Sequence, residues 1–133
     1  RFMREKKSFT AMELLIVVVI VALLAVLAFP IFRKTIEKSR EKLAITNLKM
    51  ILAGENLYKV SYDHYFPRDK GETLDAIEDI NQALGLDIEE RFFDYKIEKD
   101  PQDPYKFNIV AYEKGTTNKI YSIDQAGKIT YYK

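Results

Sequence analysis

The stretch S-F-T-A-M-E-L-L-I-V-V-V-I, residues 8–20, decides how this chain reads. It heads an apolar run that continues without another charged residue to Phe32, and a single carboxylate, Glu13, sits near its start. A helix rises about 1.5 Å per residue, so Phe9 to Phe32 covers roughly the thickness of a bilayer's hydrocarbon core. A charge inside such a segment costs on the order of 3 kcal/mol on translocon scales, so it is as a rule paired or functional. Glu13 therefore needs something to neutralise it.

The rest of the composition narrows the possibilities. The chain has 133 residues, a formal net charge of +1, no Cys, no Trp and one His, His64. Setting the apolar run aside leaves about a hundred residues, enough for one small head with roughly 60% of its surface buried. The charge is too balanced to argue for nucleic acid. Without Cys, neither a disulfide nor a thiolate metal site can form. Met3, after Arg1 and Phe2, is a candidate natural start, which would make Met3 to Ser8 a short basic leader.

Three readings compete for residues 1–32. A secretory signal peptide has a basic start, a short apolar core and small residues before the cut. Val26-Leu27-Ala28 could serve as that site, but the run is long and carries Glu13 at its head. A plain signal anchor explains the length and the flanking Arg4, Lys6 and Lys7, yet leaves Glu13 without a task. The third reading is a resemblance. Lys6-Lys7, a small residue at Ser8, Phe9-Thr10, then Glu13 and the run Leu14 to Ile20 resemble the class III signal of type IV prepilins and type II secretion pseudopilins. The resemblance covers residues 6 to about 45.

That resemblance implies a good deal. In the family, prepilin peptidase, a membrane aspartic protease, cuts after a small residue on the cytoplasmic side, and the new N-terminal residue is N-methylated. Mapped onto this chain, the cut falls between Ser8 and Phe9, Phe9 is methylated, and Glu13 becomes the fifth mature residue. Its carboxylate would then attract the N-terminal amine of a neighbouring subunit. Pro30 matches the family's helix-kinking proline and allows bending on assembly. Ser8 and Ala22 depart from the family, which usually has Gly at both places, and with Ala22 any stretch that melts on assembly would be shorter. The implied partners are other pilin or pseudopilin subunits, the peptidase, an inner-membrane assembly platform and membrane lipid. The implied location is the inner membrane, single-pass with the C-terminal domain outside the cytoplasm, and then a periplasmic or cell-surface filament. Flanking charge does not decide this orientation, because Arg33, Lys34, Lys38, Arg40 and Lys42 follow the run.

Beyond Ile31 the pattern turns amphipathic. Ile36, Leu43, Ala44, Leu48, Ile51, Leu52, Tyr58 and Tyr62 recur near helical spacing, which predicts a helix continuing to about Ser61. In it Glu13 would stand one turn above Phe9 on the same face, and Gly54 would be a weak point worth about 1 kcal/mol against Ala. Residues 62–72, with Pro67 and Gly71, read as a loop. Thr73 is expected to cap a short helix whose dry side is Leu74, Ile77, Ile80 and Leu84, ended by Gly85. The 62–90 region is acidic, as a solvated face commonly is. Phe92–Ile97, Tyr105–Tyr112, Lys119–Ile123 and Lys128–Tyr132 read as strands separated by Pro, Gly, Asp and Asn turns. The fold class is α+β, a long helix packed on a small antiparallel sheet, which is also the family architecture. The expected parts are a leader at 1–8, a transmembrane or filament-core helix at 9–32 and a head at 33–133, with its sheet at about 92–132.

No catalytic constellation emerges. His64 is the only imidazole and sits in a loop, and no phosphate-cradling glycine loop is present, so the chain reads as a non-enzyme without cofactor or metal. Asp100, Asp103 and Asp124 lie in turns, where aspartates usually accept backbone amides; a calcium site of the kind some pseudopilins carry is the lesser account. Tyr105, Phe107, Tyr112, Tyr121, Tyr131 and Tyr132 alternate with Lys106, Lys114, Lys119, Lys128 and Lys133. That mixture suits cross-strand packing with solubilising lysines, and DNA contact is the weaker reading. Function therefore reads as a polymerising structural subunit of a type IV pilus or type II secretion pseudopilus. The competing class is a single-pass membrane protein that never polymerises and whose extracytoplasmic domain binds a ligand or partner.

Overall fold

The computed structural model describes residues 8–68 and 73–132. Most of the leader, residues 1–7, and the tip of the 62–72 loop lie outside the described residues. Helix α1 runs Ala11–Tyr62, strand β1 is Thr73–Leu74, and helix α2 is Ile77–Leu84. Strands β2 (Phe93–Lys99), β3 (Phe107–Glu113), β4 (Lys119–Asp124) and β5 (Ile129–Tyr131) follow. The layout is α+β and pilin-like: a long N-terminal helix and a C-terminal antiparallel sheet. The chain divides into two units, Arg1–Ser39 and Arg40–Lys133.

In the first unit the helix begins two residues later than Phe9, because Thr10 caps it. The Glu13 backbone N–H donates to Thr10 Oγ1 at 3.2 Å, and the Leu14 N–H donates to the Thr10 carbonyl at 3.1 Å. Thr10-Ala-Met-Glu13 has the spacing of a capping box, and Glu13 occupies its third helical position. Phe9 is therefore outside the helix, and the expectation that it shares a helical face with Glu13 does not hold. Pro30 lies inside α1. It has no N–H to offer the Val26 carbonyl, yet the helix continues across it.

In the second unit, one face of α1 packs on the sheet. Ala44, Asn47, Leu48, Ile51, Gly54 and Glu55 are its buried residues, a stripe at helical spacing. Leu43 and Tyr62, placed by periodicity on that stripe, are exposed instead. The sheet order is β1-β2-β3-β4-β5, antiparallel throughout. Its register sets Ile97 opposite Ile109 and Ile109 opposite Ile123, so alternate residues of three strands meet the helix. Tyr95, Ile97, Phe107, Ile109, Ala111 and Ile123 join Ala44, Leu48 and Ile51 in one core cluster. The Asn47 amide donates to the Tyr95 hydroxyl at 2.9 Å inside it, which satisfies two polar groups that burial would otherwise penalise.

Thr73 does not cap α2. It pairs with Glu98 as the first residue of edge strand β1, and the cap position falls to Ala76, which makes no side-chain capping bond. The other end behaves as the sequence suggested: Gly85 takes a left-handed φ of 69° and the Leu86 N–H donates to the Asn81 carbonyl at 2.9 Å. Asn81 then holds the following segment twice, donating to the Ile88 carbonyl at 2.9 Å and accepting from the Ile88 N–H at 3.0 Å.

Candidate functional site

Two places in the chain depart from what packing alone requires: the surface of the N-terminal helix and a buried carboxyl in the head. Along residues 9–32 every large apolar side chain is open. Exposure runs from 49% at Val19 to 70% at Phe9, Val26 and Leu27. A solvated helix does not present aliphatic residues on all sides; one that is apolar all round is covered by lipid or by other helices. Among the described residues this is the helix long and apolar enough to cross a membrane, judged by length and composition.

The residues singled out from sequence fall on this segment. Ser8 and Phe9 are exposed and precede the helix, in coil. Glu13 is exposed on the first turn, where the unpaired N–H groups of the helix favour a negative charge. Ser8, Phe9 and Glu13 are thus gathered at the N-terminal end, whereas Pro30 lies roughly 25 Å further along by helical rise. No other carboxylate or ammonium is on the described part of this segment before Arg33, whose guanidinium sits 5.6 Å from the Phe29 ring centre.

The head holds the group that sequence reasoning passed over. Glu55 is 0% exposed, and neither of its carboxylate oxygens has a hydrogen-bond partner among the described residues. Burial pushes its pKa up to about 8; the Lys99 charge and the nearby Phe66 backbone N–H, which is not hydrogen-bonded to it, pull it back. Lys99 is itself buried at 5% exposure and donates to the Pro67 carbonyl at 2.5 Å and to the Tyr65 carbonyl at 3.5 Å. A carboxyl that stays protonated at neutral pH is the form such a site holds. The available signal was spacing: Ala44, Leu48, Ile51 and Glu55 recur one helical turn apart, on the face that is dry.

The other candidates are occupied locally. Asp100 accepts from the N–H groups of Gln102 at 2.7 Å and Asp103 at 3.1 Å, and Asp103 accepts from Tyr105 at 2.9 Å. Asp124 accepts from Ala126 at 3.0 Å and Lys128 at 2.8 Å. These are the turn-closing bonds expected of such residues. Of the sheet aromatics, Phe107 and Tyr112 are buried, whereas Tyr105, Tyr131 and Tyr132 are exposed. Lys114 and Lys119 pair with Asp94 at 3.7 Å and Glu98 at 3.4 Å. Tyr112 donates to Glu98, and that bond together with burial raises the phenol's pKa, burial being the larger cause. The aromatic–basic alternation of the sequence is thus largely spent on contacts within the sheet.

A capped N-terminal helix that is apolar on all sides, continuing into a helix that backs an antiparallel sheet, is a pilin-like arrangement. Comparison with known proteins agrees. The chain is similar to the type IV major pilin protein PilA of Myxococcus xanthus (strain DK1622), 37% identical over 65 residues. That match takes in 49% of this chain and 30% of the relative, so the chain spans less than a third of the relative's length. No family model matches the chain, and no solved structure does. The resemblance to type IV pilins read from residues 6–45 is borne out by that relative and by the long apolar helix.

Proposed function

We propose that this chain is a non-enzymatic structural subunit of a type IV pilus or a type II secretion pseudopilus. The observation that carries the reading is the helix surface: residues 9–32 expose apolar side chains in every direction and place one carboxylate at the first turn. Before assembly, lipid covers that surface, with the segment crossing the inner membrane and the head outside the cytoplasm. In the filament, the same segments of neighbouring subunits cover one another. The similarity to a type IV major pilin supports this reading.

Prepilin peptidase cuts between Ser8 and Phe9 and frees an α-amino group at Phe9, which is then methylated and stays cationic. Phe9 lies outside the helix, so its amine is not tied into the helical ladder and can reach a neighbour. A carboxylate and an ammonium each cost several kcal/mol alone in lipid; paired across two subunits, they offset that cost and fix the axial register. Glu13 supplies the carboxylate. Pro30 supplies a point where the helix already lacks one bond and bends or opens most readily. An inner-membrane platform and further pilin subunits are the partners of this reading.

The test is the N-terminus and intact mass of the protein isolated from its own cell membranes. A chain starting at Phe9 with one extra methyl is expected. A chain still carrying its basic leader would favour the non-polymerising anchor, and a start near Phe29 would mean a secreted domain.

A further inference from the structure

We propose that the segment 63–67 is a proton-operated strap on the head: it lies closed against Glu55 while that carboxyl is neutral and opens locally when the carboxyl ionises. Such a strap belongs to the head alone and works whether or not the chain polymerises. Glu55 stands on the buried face of α1 at 0% exposure, and neither carboxylate oxygen has a hydrogen-bond partner among the described residues. The chain leaving α1 turns at Asp63, whose φ is 63°, and brings Tyr65 and Pro67 back to buried positions. Two contacts hold it there. The Tyr65 ring meets the Phe107 ring edge-on at 4.7 Å, and the Lys99 ammonium donates to the Pro67 carbonyl at 2.5 Å and to the Tyr65 carbonyl at 3.5 Å. The Phe66 N–H and the Lys99 charge both act on Glu55, so the carboxyl lies beside strap and ammonium alike.

A buried carboxyl without hydrogen bonds is tolerated as the neutral acid and strongly penalised as the anion. The anion can be relieved in two ways, and each releases the strap. Water can reach it, which requires the covering segment to lift. Alternatively Lys99 can turn to it, which takes the ammonium from the Tyr65 and Pro67 carbonyls and leaves them short of a donor. Lifting a short loop costs less than unfolding the core, so the opening is local. The other charged groups nearby are engaged elsewhere or face solvent. Lys59, one turn along α1, lies 5.0 Å from the Tyr65 ring centre and 5.1 Å from that of Tyr105. Asp63 and Arg68 are exposed, and His64 Nδ1 lies 2.8 Å from the Tyr62 carbonyl. The residues that β3 and α2 give to the core, Phe107, Ile109, Ala111, Ile77 and Ile80, carry no charge. Glu55 has a pKa of about 8 with the strap closed and the ordinary 4.5 once water reaches it. Linkage then makes the opening equilibrium climb about tenfold per pH unit between those values and level off above them. Opening uncovers Tyr65 and the Phe107 ring against which it packs, so pH sets how much aromatic surface the head shows.

Hydrogen exchange of the full chain in detergent tests this, read by mass on peptides covering 63–67 and β3 from pH 5.5 to pH 8.5 with quench-flow sampling. Comparing the native chain with Glu55→Gln at each pH cancels the intrinsic pH dependence of exchange. In the segment, the native-to-variant rate ratio should rise about tenfold per pH unit up to about pH 8 and then flatten. The segment should exchange faster than β3 throughout. Lys99→Met should raise exchange in the segment already at pH 5.5, where Glu55 is neutral. Glu55→Met, equally unable to titrate, provides the same comparison if the Gln variant is unstable. A ratio that stays flat with pH would overturn the strap, because the Glu55 proton would then govern no opening. Segment and β3 exchanging at one rate, with the same urea dependence, would overturn it as well, because the opening would be global.

Discussion

At the scale of single residues, Glu55 ties the stability of the head to pH. Its carboxyl is fully buried and its pKa lies at about 8. The folded state therefore binds this proton more tightly than the unfolded chain does. Its contribution to stability is complete below about pH 4.5, declines as pH rises from there to about 8, and is absent above. The slope is about 1.4 kcal/mol per pH unit across that window. Glu55→Gln keeps the shape and removes the proton. Thermal unfolding of the full chain in detergent, followed from pH 5 to pH 8.5, should show the native chain losing stability with pH and the Gln variant losing distinctly less. Parallel profiles would mean that Glu55 is ionised in the fold, held by Lys99. Glu90 is shifted in the same direction, chiefly by burial, and remains in both chains, so the difference between the two isolates Glu55.

At the scale of elements, the contact between α1 and α2 turns on Gly54. A Cβ added there would stand 3.0 Å from the Leu84 Cβ and 3.4 Å from the Leu84 and Leu86 Cδ1 atoms. Sequence reasoning saw only a helix weakness at Gly54; the structure shows that it lets α2 approach. For Gly54→Ala, a propensity gain of about 1 kcal/mol opposes an overpacking cost of roughly 1 to 3 kcal/mol. The Leu84 Cβ is close to its backbone and cannot swing away, so the cost should win by about 1 kcal/mol. The melting temperature should then fall by several degrees; a rise would show that α2 shifts at little cost. Elements with a long period were legible from the residues alone, as with α1, which ends one residue past the expected Ser61, and the four strands from Phe93 onward. The two-residue β1 was not, because nothing local distinguishes Thr73 as a helix cap from Thr73 as the partner of Glu98.

At the scale of the whole molecule, two units answer to two environments. The first exposes apolar surface on every side, and the second buries its own core. Glu13 belongs to the first and tests the assembly reading directly. Glu13→Ala removes the lone carboxylate, so membrane insertion should be undiminished. In the proposed assembly it also leaves the Phe9 amine unpaired, so filament yield should fall on the order of a hundredfold, given about 3 kcal/mol for an unpaired charge in lipid. Membrane fractionation against sheared-filament yield separates the two effects. Normal assembly of the variant beside the native chain would remove Glu13 from the mechanism.

The sequence by itself determined the apolar segment, its single carboxylate, the long helix, the α+β order and the turn roles of Asp100, Asp103, Asp124 and Gly85. Each of these depends on neighbours within a few residues or on a period that repeats many times, so the information is local. Only the tertiary structure decided that Glu55 is fully buried with neither carboxylate oxygen hydrogen-bonded among the described residues, that Gly54 faces Leu84, that Thr73 joins the sheet, and that Leu57 and Val60 remain uncovered. Those outcomes depend on which distant elements arrive at a given face. Helical spacing shows that a face exists, but not whether Lys99, Leu84 or open solvent will stand opposite it.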